Sequence, residues 1–240
     1  MNNNEYQQPR REVNVQASGL SAFMSRVFGY MGLAVLISAV VAILAGVVYQ
    51  KQYFGFLAAN SWFMWVLIIA EFGLVIGGSF QAKRSASAGL TMLLGFAAIN
   101  GLMLSTIFLA YTSATIFSAF FASAAIFGGM AVYGMTTHRD LSRIGTQMIF
   151  ALFGVIVVSL INMFLHSSVI SYVFSFVIVG IFVVLTAWDT QRMRRIYEQY
   201  GNQVALGGLA IQGAFQLYLD FINIFIYVLQ IFGFSGGNRN

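Results

Sequence analysis

The segment AIQGAFQLYLDFINIFIYVLQIF, residues 210–232, is apolar over a length that can cross a membrane, yet it carries a carboxylate near its middle. A hydrocarbon core of about 30 Å is crossed by about 20 helical residues. In lipid only a helix or a closed barrel satisfies the backbone. The segment therefore predicts a membrane-spanning helix, and Asp220 is the residue in it that a lipid-facing helix does not tolerate.

The polar side chains of this helix share one face. Steps of three or four residues place them within an arc of about 80°, at about 100° per residue, and they are Gln212, Gln216, Asp220, Asn223, Tyr227 and Gln230. Such a face points to protein or water, which predicts a central helix. Two interpretations of the amides stay open: contacts between helices, worth about 0.6 kcal/mol each, or part of a functional site. A buried aspartate is a poor contact and indicates function.

Six further stretches meet the same length criterion. The chain therefore predicts an all-α integral membrane protein with seven transmembrane helices, in which helix 7 is central and surrounded by the other six. The predicted spans lie at about 27–49, 62–81, 87–110, 115–136, 144–165, 170–188 and 205–232. The alternating ten-residue segments of a barrel are not found. Residues 1–18 are polar and predict a mobile cytoplasmic tail, and residues 19–240 predict one membrane domain.

Composition agrees with a membrane protein and excludes several classes of site. Only 8% of the residues are charged, against about 25% in soluble domains. The absence of cysteine excludes disulfides and thiolate metal sites. His138 and His166 are far apart, give no metal-ligand spacing and are expected in loops. The net charge of +5 is small and dispersed, so we expect the lipid bilayer rather than nucleic acid as partner, and no cofactor.

Basic residues orient the predicted helices. They cluster on one side, with three around the start of helix 1, two after helix 2, two after helix 4 and three after helix 6: Arg10, Arg11 and Arg26, Lys83 and Arg84, Arg139 and Arg143, and Arg192, Arg194 and Arg195. The other side has Lys51 and Arg239. Short loops rich in Lys and Arg stay in the cytoplasm. The N-terminus is therefore predicted inside, the C-terminus outside, and the chain in the cytoplasmic membrane.

Two other acidic residues lie in or beside predicted spans. Glu71 is near the middle of helix 2, where a structural role as a hydrogen-bonded neutral group and a functional role are both open. Asp189 ends helix 6 next to Arg192, Arg194 and Arg195, so on its own it is interpreted first as part of an interfacial ion pair, with a functional role as the alternative. Asn100 and Asn162, within helices 3 and 5, are interpreted as packing contacts.

At these residues the sequence resembles the Bax-inhibitor-like family, the transmembrane Bax inhibitor motif proteins. The most specific matches are LTAWDTQ, residues 185–191, and LYLDFINIFIYVLQIFG, residues 217–233. YGMTTHRDLSRIG, residues 133–145, resembles the family's loop between helices 4 and 5, and FMSRVFGYMGLAVLISA, residues 23–39, its first helix. The resemblance extends from about residue 20 to the C-terminus.

The resemblance implies a pH-sensitive calcium leak in which two aspartates form a hydrogen-bonded latch. Carried over, they are Asp189 and Asp220, with Glu71 on the same pathway. A basic residue that pairs with the aspartates in relatives would align with Ala82 here, so Lys83 or Arg84 would have to replace it. Calcium is then the transported ion, held weakly by the two carboxylates, because calcium prefers several oxygen ligands and an ion held tightly cannot leave.

Two other functions stay open. The first is a non-conducting membrane protein that binds and modulates another, such as a membrane-anchored protease, because some bacterial relatives are linked to that role. This function would depend on the cytoplasmic tail or loops and not on the aspartates. The second is an intramembrane aspartyl protease, which also needs two buried carboxylates. That chemistry usually comes with a GxGD-like context, which neither AWDT nor YLDF provides. We therefore do not expect an enzyme.

Overall fold

The computed structural model describes residues 8–201 and 206–237, and the side chains of 19–78, 85–201 and 206–234. This part of the chain is folded as nine α-helices joined by short loops. They are α1 Gln8–Ile43 with a π-helical turn at Leu44–Val48, α2 Gln50–Ala59, α3 Trp62–Arg84, α4 Ala86–Leu104, α5 Ile107–Ala110, α6 Ser113–Thr136, α7 Ser142–Leu165, α8 Ser168–Tyr200 and α9 Leu206–Gly237.

The all-α membrane architecture is confirmed. Over the described residues, six helical segments are long and apolar enough to cross a membrane: α1 with its π-helical turn, α4 with α5, α6, α7, α8 and α9. The short α2 and the described part of α3 meet at a bend of 100°. The predicted total of seven spans is reached when this bent pair counts as one. α3 alone has 23 residues and rises about 34 Å at 1.5 Å per residue.

Hydroxyl side chains begin three of these helices. Ser85, Thr112 and Ser167 each accept a hydrogen bond from the backbone N–H three residues later, at 3.4, 3.2 and 3.3 Å. Each such cap satisfies one of the N–H groups that a helix start leaves unpaired. These caps therefore fix the residues at which α4, α6 and α8 begin.

The first helix begins at Gln8, inside the segment 1–18 that was predicted as a mobile tail. Residues 1–7 lie outside the described residues, and only the helical backbone is described for 8–18. The mobility of the tail stays a prediction.

Helix α9 lies at the centre of the bundle. It packs directly against α1, α3, α4, α6 and α8. α7 packs mainly against α8 and lies at the periphery. Within α7 only Gly145 and Val155 are buried, and from Ile149 onward most of its exposed side chains are large and apolar, as lipid contact requires. Five helices thus surround α9 directly, and the sixth is held through α8.

Helix α8 continues past the predicted end of its span at residue 188. It runs for three further turns to Tyr200, so Asp189 lies inside a helix and not at its end. We call the end of the bundle that carries Arg26, Arg139, Arg143, Arg192 and Arg195 the basic end, and the other the opposite end.

Candidate functional site

Asp189 of α8 and Asp220 of α9 form a buried carboxyl pair. They are 3% and 4% exposed, and the two carboxyl groups face each other within hydrogen-bonding reach. The polar face of α9 brings Asp220 to this position, and the continuation of α8 brings Asp189. The ion-pair interpretation of Asp189 is wrong: within the described side chains, no arginine lies within ion-pair distance of it, and the nearby basic residues bind elsewhere.

One oxygen of each carboxyl group, Asp189 Oδ1 and Asp220 Oδ2, has no hydrogen-bond donor among the described residues. Two ionised carboxylates offer acceptors only. At about 4 Å, with an effective dielectric constant of about 20, two like charges repel by about 4 kcal/mol, and each buried ion costs several kcal/mol of lost hydration. A proton held between the two groups removes one charge and supplies the missing donor.

The neighbouring hydroxyl groups do not supply the hydrogen-bond donor that the aspartate pair lacks. Thr186 and Thr190 are buried beside the pair on α8, but their hydroxyls donate to the carbonyl groups of Phe182 at 2.8 Å and of Thr186 at 2.7 Å. Gln216, one turn before Asp220, has its side chain within hydrogen-bonding reach of Asp189. Asp189 is thus held by one amide and by its partner carboxyl.

Arg192 supplies the nearest described positive charge. Its field acts on Asp189 from one turn further along α8, and its guanidinium carbon lies 5.5 Å from the centre of the Trp188 ring. Stacking on the ring holds this charge near the pair without an ion pair. Ala82 and the predicted basic partners Lys83 and Arg84 lie in the last turn of α3, and their side chains are outside the described residues. Their role stays a prediction.

Two glycines allow α6 and α7 to approach α8 beside Asp189. A Cβ atom on Gly134 would overlap the backbone carbonyl of Ala187, and one on Gly145 would overlap the Trp188 ring. Small residues of this kind let helix backbones approach closely in lipid. The segment of α8 that carries Asp189 is therefore fixed on three sides.

Cavities lie at both ends of the polar face of α9. At the basic end, a cavity of about 360 Å³ is lined by Gln212 and Gln216 of α9, Arg192 of α8 and apolar side chains of α3. At the opposite end, a cavity of about 460 Å³ between α7, α8 and α9 is lined by Tyr227 and Gln230 together with side chains that include Asn162 and Ser171. The aspartate pair lies between them along the seam of α8 and α9.

The rest of the predicted polar face has local partners. Ser175 of α8 donates to Gln230 at 2.9 Å. The amide of Asn223 donates to the carbonyl of Leu219 in its own helix at 2.8 Å. Asn162 donates to Ser171 at 2.8 Å and to the Ser167 carbonyl at 3.2 Å, which fits its interpretation as a packing contact.

Glu71 is not brought to the aspartate pair. It is half-buried on α3 and accepts a hydrogen bond from the amide of Asn100 on α4 at 2.9 Å. Asn100 in turn accepts from the Tyr218 hydroxyl at 3.1 Å. The expectation that Asn100 is a mere packing contact missed this link to a titratable group.

Gln191, two residues after Asp189, was also missed. It is 1% exposed, and both ends of its amide bind the loop between α6 and α7: it donates to the Arg139 carbonyl at 2.8 Å and accepts from the Leu141 N–H at 3.0 Å. Its position in the LTAWDTQ segment was the available signal. A glutamine beyond a predicted span is typical of a solvent-exposed position, so the sequence alone does not predict that Gln191 is buried.

Two arginines of α8 bind the same loop. Arg194 donates to the carbonyl groups of Met135 and Thr137, and Arg195 pairs with Asp140 at 2.7 Å. The pKa of the exposed Asp140 is lowered to about 2, chiefly by the backbone N–H of Ser142, then by the Ser142 hydroxyl and by Arg195. The loop is thus fixed to the helix that carries Asp189.

A preformed metal cage is not found in the described part of the chain, where no group of three or more His, Cys, Asp or Glu side chains is placed to hold an ion. Glu71 lies apart from the pair. Any cation at Asp189 and Asp220 would therefore be held by two carboxyl groups and by neutral oxygen atoms.

Comparisons with known proteins agree with the motifs. Residues 20–237 match the family described as "Inhibitor of apoptosis-promoting Bax1". The chain is 40% identical over 230 residues to the inner membrane protein YbhL of Escherichia coli K12, covering 94% of this chain and 97% of that protein. It is 36% identical over 225 residues to YrjE of Lactococcus lactis, covering 94% and 96%, and 36% identical over 221 residues to a Borreliella burgdorferi protein, covering 91% and 93%.

A match over nearly the whole membrane domain, with relatives similar over nearly their full length, establishes the family. The chain is a multi-pass membrane protein of the Bax inhibitor family.

Proposed function

We propose that this protein is a pH-sensitive calcium leak of the cytoplasmic membrane, gated by the proton that Asp189 and Asp220 share. The observation that carries the proposal is the buried pair itself, in which one oxygen of each carboxyl group lacks a donor. A shared proton ties α8 to α9 by a short charge-assisted hydrogen bond. The number of protons on the pair then decides whether the two helices stay together.

Loss of the shared proton leaves two buried charges that repel, so they must separate, bind a cation or meet a basic side chain. Addition of a second proton removes the charge-assisted bond. Because the two groups interact strongly, they titrate as a unit. Either change favours a second arrangement of the basic ends of α8 and α9, which is how a local charge event acts as a gate.

The seam of α8 and α9 supports the proposal because it has a cavity at each end and is closed between them. Between the Asp189 and Ser175 contacts, α8 carries the buried apolar side chains of Ile178, Phe182 and Leu185. An ion could not shed its water in such a segment. The described arrangement is therefore a closed one, and conduction requires α8 and α9 to move apart.

Calcium fits the oxygen atoms of this seam. Carboxylate and amide oxygens are the ligands that calcium prefers, and the seam offers Asp189, Asp220 and Gln216. Two carboxyl groups without a third acidic ligand give weak binding, which a leak requires. In this proposal calcium is the transported ion and no resident cofactor or enzymatic step is involved.

The orientation of the protein belongs to the proposal. Arg26, Arg139, Arg143 and the arginines after Trp188 favour a cytoplasmic basic end under the positive-inside rule. The N-terminus is then inside and the C-terminus outside. The aspartate pair lies toward the basic end of α8 and α9, so it would respond to cytoplasmic pH through the cavity at Gln212 and Gln216.

The test is calcium flux into vesicles that contain the purified full-length chain, measured against pH. We expect the smallest flux where the pair holds one proton and a larger flux on either side. Asp189→Asn and Asp220→Asn should flatten this profile. Asp140→Asn, the same change on an exposed loop carboxylate, should leave it intact. Flux equal to that of protein-free vesicles, or a profile unchanged by Asp220→Asn, would remove the proposal.

The loop between α6 and α7, which is bound to α8, favours one alternative function. In this alternative the protein does not conduct ions and binds another membrane protein such as a protease. His138, Arg139 and Asp140 are exposed on a loop fixed by three side chains of α8. A partner protein would bind this loop or residues 1–18, not the buried aspartate pair. Deleting residues 1–18 or replacing His138 and Arg139 by alanine would then change turnover of protease substrates, while Asp220→Asn would not.

A further inference from the structure

A chain of hydrogen bonds crosses the bundle on the other side of α9 from the aspartate pair. Tyr218 lies two residues before Asp220, so its side chain leaves α9 about 200° away around the helix. Its hydroxyl is 2.7 Å from the Ser38 hydroxyl of α1 and donates to the Asn100 oxygen of α4 at 3.1 Å. Asn100 donates to Glu71 of α3 at 2.9 Å.

At its other end the chain reaches a backbone carbonyl group. The Ser38 hydroxyl is 2.7 Å from the carbonyl oxygen of Ala97 on α4 and 3.1 Å from that of Ala34 in its own helix. Tyr218 and Ser38 are almost completely buried, at 0% and 1% exposed. Four contacts therefore run from Ala97 through Ser38, Tyr218 and Asn100 to Glu71, and they join α1, α3, α4 and α9.

The four contacts have too few hydrogen atoms for all of them to be hydrogen bonds when Glu71 is ionised. Ser38 and Tyr218 each have one hydroxyl hydrogen, and Asn100 donates from its nitrogen only. With Glu71 ionised, Asn100 donates to Glu71 and Tyr218 donates to Asn100. The single hydrogen of Ser38 then serves either Tyr218 or a carbonyl group, that of Ala97 or that of Ala34. At most three of the four contacts are hydrogen bonds at any moment, and at least one has no hydrogen.

A proton on Glu71 completes the chain. The carboxylic acid donates to the Asn100 oxygen once the amide has turned over, an exchange of two nearly isosteric ends. The Asn100 nitrogen then donates to the Tyr218 oxygen, Tyr218 donates to Ser38, and Ser38 donates to Ala97. All four contacts are satisfied, and the hydrogen bonds of Asn100 with Glu71 and with Tyr218 have reversed their direction relative to the ionised state.

We propose that Glu71, Asn100, Tyr218 and Ser38 form a second proton-binding site, separate from the aspartate pair, in which the direction of the hydrogen bonds reports whether Glu71 holds a proton. Buried hydrogen-bond chains strengthen one another along their length. Occupancy of this site therefore changes the contacts of α9 with α1 and α4 on the face opposite Asp220. The site does not depend on calcium conduction.

The surroundings of Glu71 contain few other charges among the described residues. α3 packs against α4, which has no titratable side chain between Ala86 and Leu104, and against α9. The titratable groups of α9 nearest this level are Tyr218, which belongs to the chain, and Asp220, which faces Asp189. Among the described residues, the hydrogen bonds of Asn100, Tyr218 and Ser38 are thus the main influence on whether Glu71 holds a proton.

Infrared difference spectroscopy of the full-length protein in lipid vesicles, between mildly acidic and mildly alkaline pH, tests the proposal. A protonated carboxyl group has a C=O band that a carboxylate lacks. We expect one such band to vanish in Glu71→Gln, and a tyrosine C–O band that vanishes in Tyr218→Phe to shift with it. In Asn100→Leu the carboxyl band should persist while the tyrosine shift is lost.

Asp220→Asn is the control, because it alters the aspartate pair and leaves the chain intact. It should remove a different carboxyl band and preserve the coupled pair of bands from Glu71 and Tyr218. A Tyr218 band indifferent to Glu71→Gln, or no carboxyl band that Glu71→Gln removes at any pH in the range, would overturn the second site. Neither result depends on whether the vesicles conduct calcium, so the two proposals fail separately.

Discussion

Asp140 is the exposed carboxylate whose titration is best defined by its contacts. Its pKa is lowered to about 2 from an ordinary 3.8, first by the Ser142 N–H. A lowered folded-state pKa gives stability that is present above the ordinary value and is lost as pH falls through about 2. We expect the difference in unfolding temperature between the unaltered protein and Asp140→Asn to stay constant from neutral pH down to about 4 and to shrink below that.

Thermal unfolding in detergent micelles, followed by circular dichroism, measures this difference. A difference that changes between about pH 5 and about pH 8 would show that another group controls it, since Asp140 is ionised throughout that window.

Gln191 is the residue that should fix the loop between α6 and α7, because both ends of its buried amide are bonded to loop backbone. Gln191→Glu keeps the acceptor for Leu141 but places a carboxylate against the Arg139 carbonyl, where no hydrogen is available. We expect amide hydrogen exchange of Leu141 and its loop neighbours to accelerate at least several-fold, since losing a buried hydrogen bond costs about 1–3 kcal/mol.

Gln199→Glu is the matched control, because Gln199 is exposed on the same helix. It should leave exchange in the loop unchanged. Equal protection of Leu141 in all three proteins would show that the loop is held by Arg194 and Arg195 without Gln191.

At the scale of single residues, sequence placed Asp220 well and Asp189 poorly. Asp220 lies on a polar face with a clear helical period, so its inward direction could be predicted. The position of Asp189 depended on how far α8 continues, and the polar residues after Trp188 predicted an early end. Tyr218 carried no signal, because a tyrosine on an apolar face is typical of packing. Its hydroxyl acquires partners only when α1, α4 and α9 meet.

At the scale of elements, close approach of α6 to α8 positions the segment around Asp189. Gly134→Ala places a Cβ atom against the Ala187 backbone carbonyl, an overlap that only a shift of backbone can relieve. We expect a loss of stability of about 1–3 kcal/mol from this overpacking. The unfolding temperature should fall, and the flux profile of the aspartate pair should shift with it.

Gly129→Ala on the same helix is the control. A Cβ atom there meets nothing within 4 Å, and alanine is the better helix former by about 0.5–1 kcal/mol. It should be neutral or slightly stabilising. Equal losses for the two variants would mean that contact with α8 is not the reason for the glycine at 134.

The existence of the spans followed from apolar length, whereas their breaks did not. The predicted span 87–110 divides into α4 and α5 at Ser105 and Thr106, whose hydroxyls donate to the carbonyl groups of Leu102 at 2.6 Å and Met103 at 2.9 Å. Such bonds compete with the helix ladder. The bend of 100° between α2 and α3 lies at Asn60 and Ser61, where the predicted span 62–81 begins. Hydropathy thus located this boundary but not the short helix α2 that precedes it.

At the scale of the whole molecule, α9 makes buried polar contacts on two sides. One presents Asp220 to α8, and the other presents Tyr218 to α1 and α4. Five helices surround α9, so it cannot shift without altering one of these contacts. α7 packs mainly against α8, and the loop between α6 and α7 is bound to α8, so α7 and this loop would move together with α8. Opening is therefore expected as a movement of α8 away from α9.

The most direct test of a gate formed by Asp189 and Asp220 is to measure the distance between spin labels on α8 and α4 as pH is varied. The chain has no cysteine, so Ser87→Cys and Gln199→Cys, both exposed at the basic end, give two unique labelling sites in lipid vesicles. The distance should be shortest where the pair holds one proton and should lengthen at alkaline pH. In Asp220→Asn, whose amide can donate to Asp189 at any pH, the alkaline lengthening should disappear. A distance that does not change with pH, or one that lengthens equally in Asp220→Asn, would contradict a gate formed by Asp189 and Asp220.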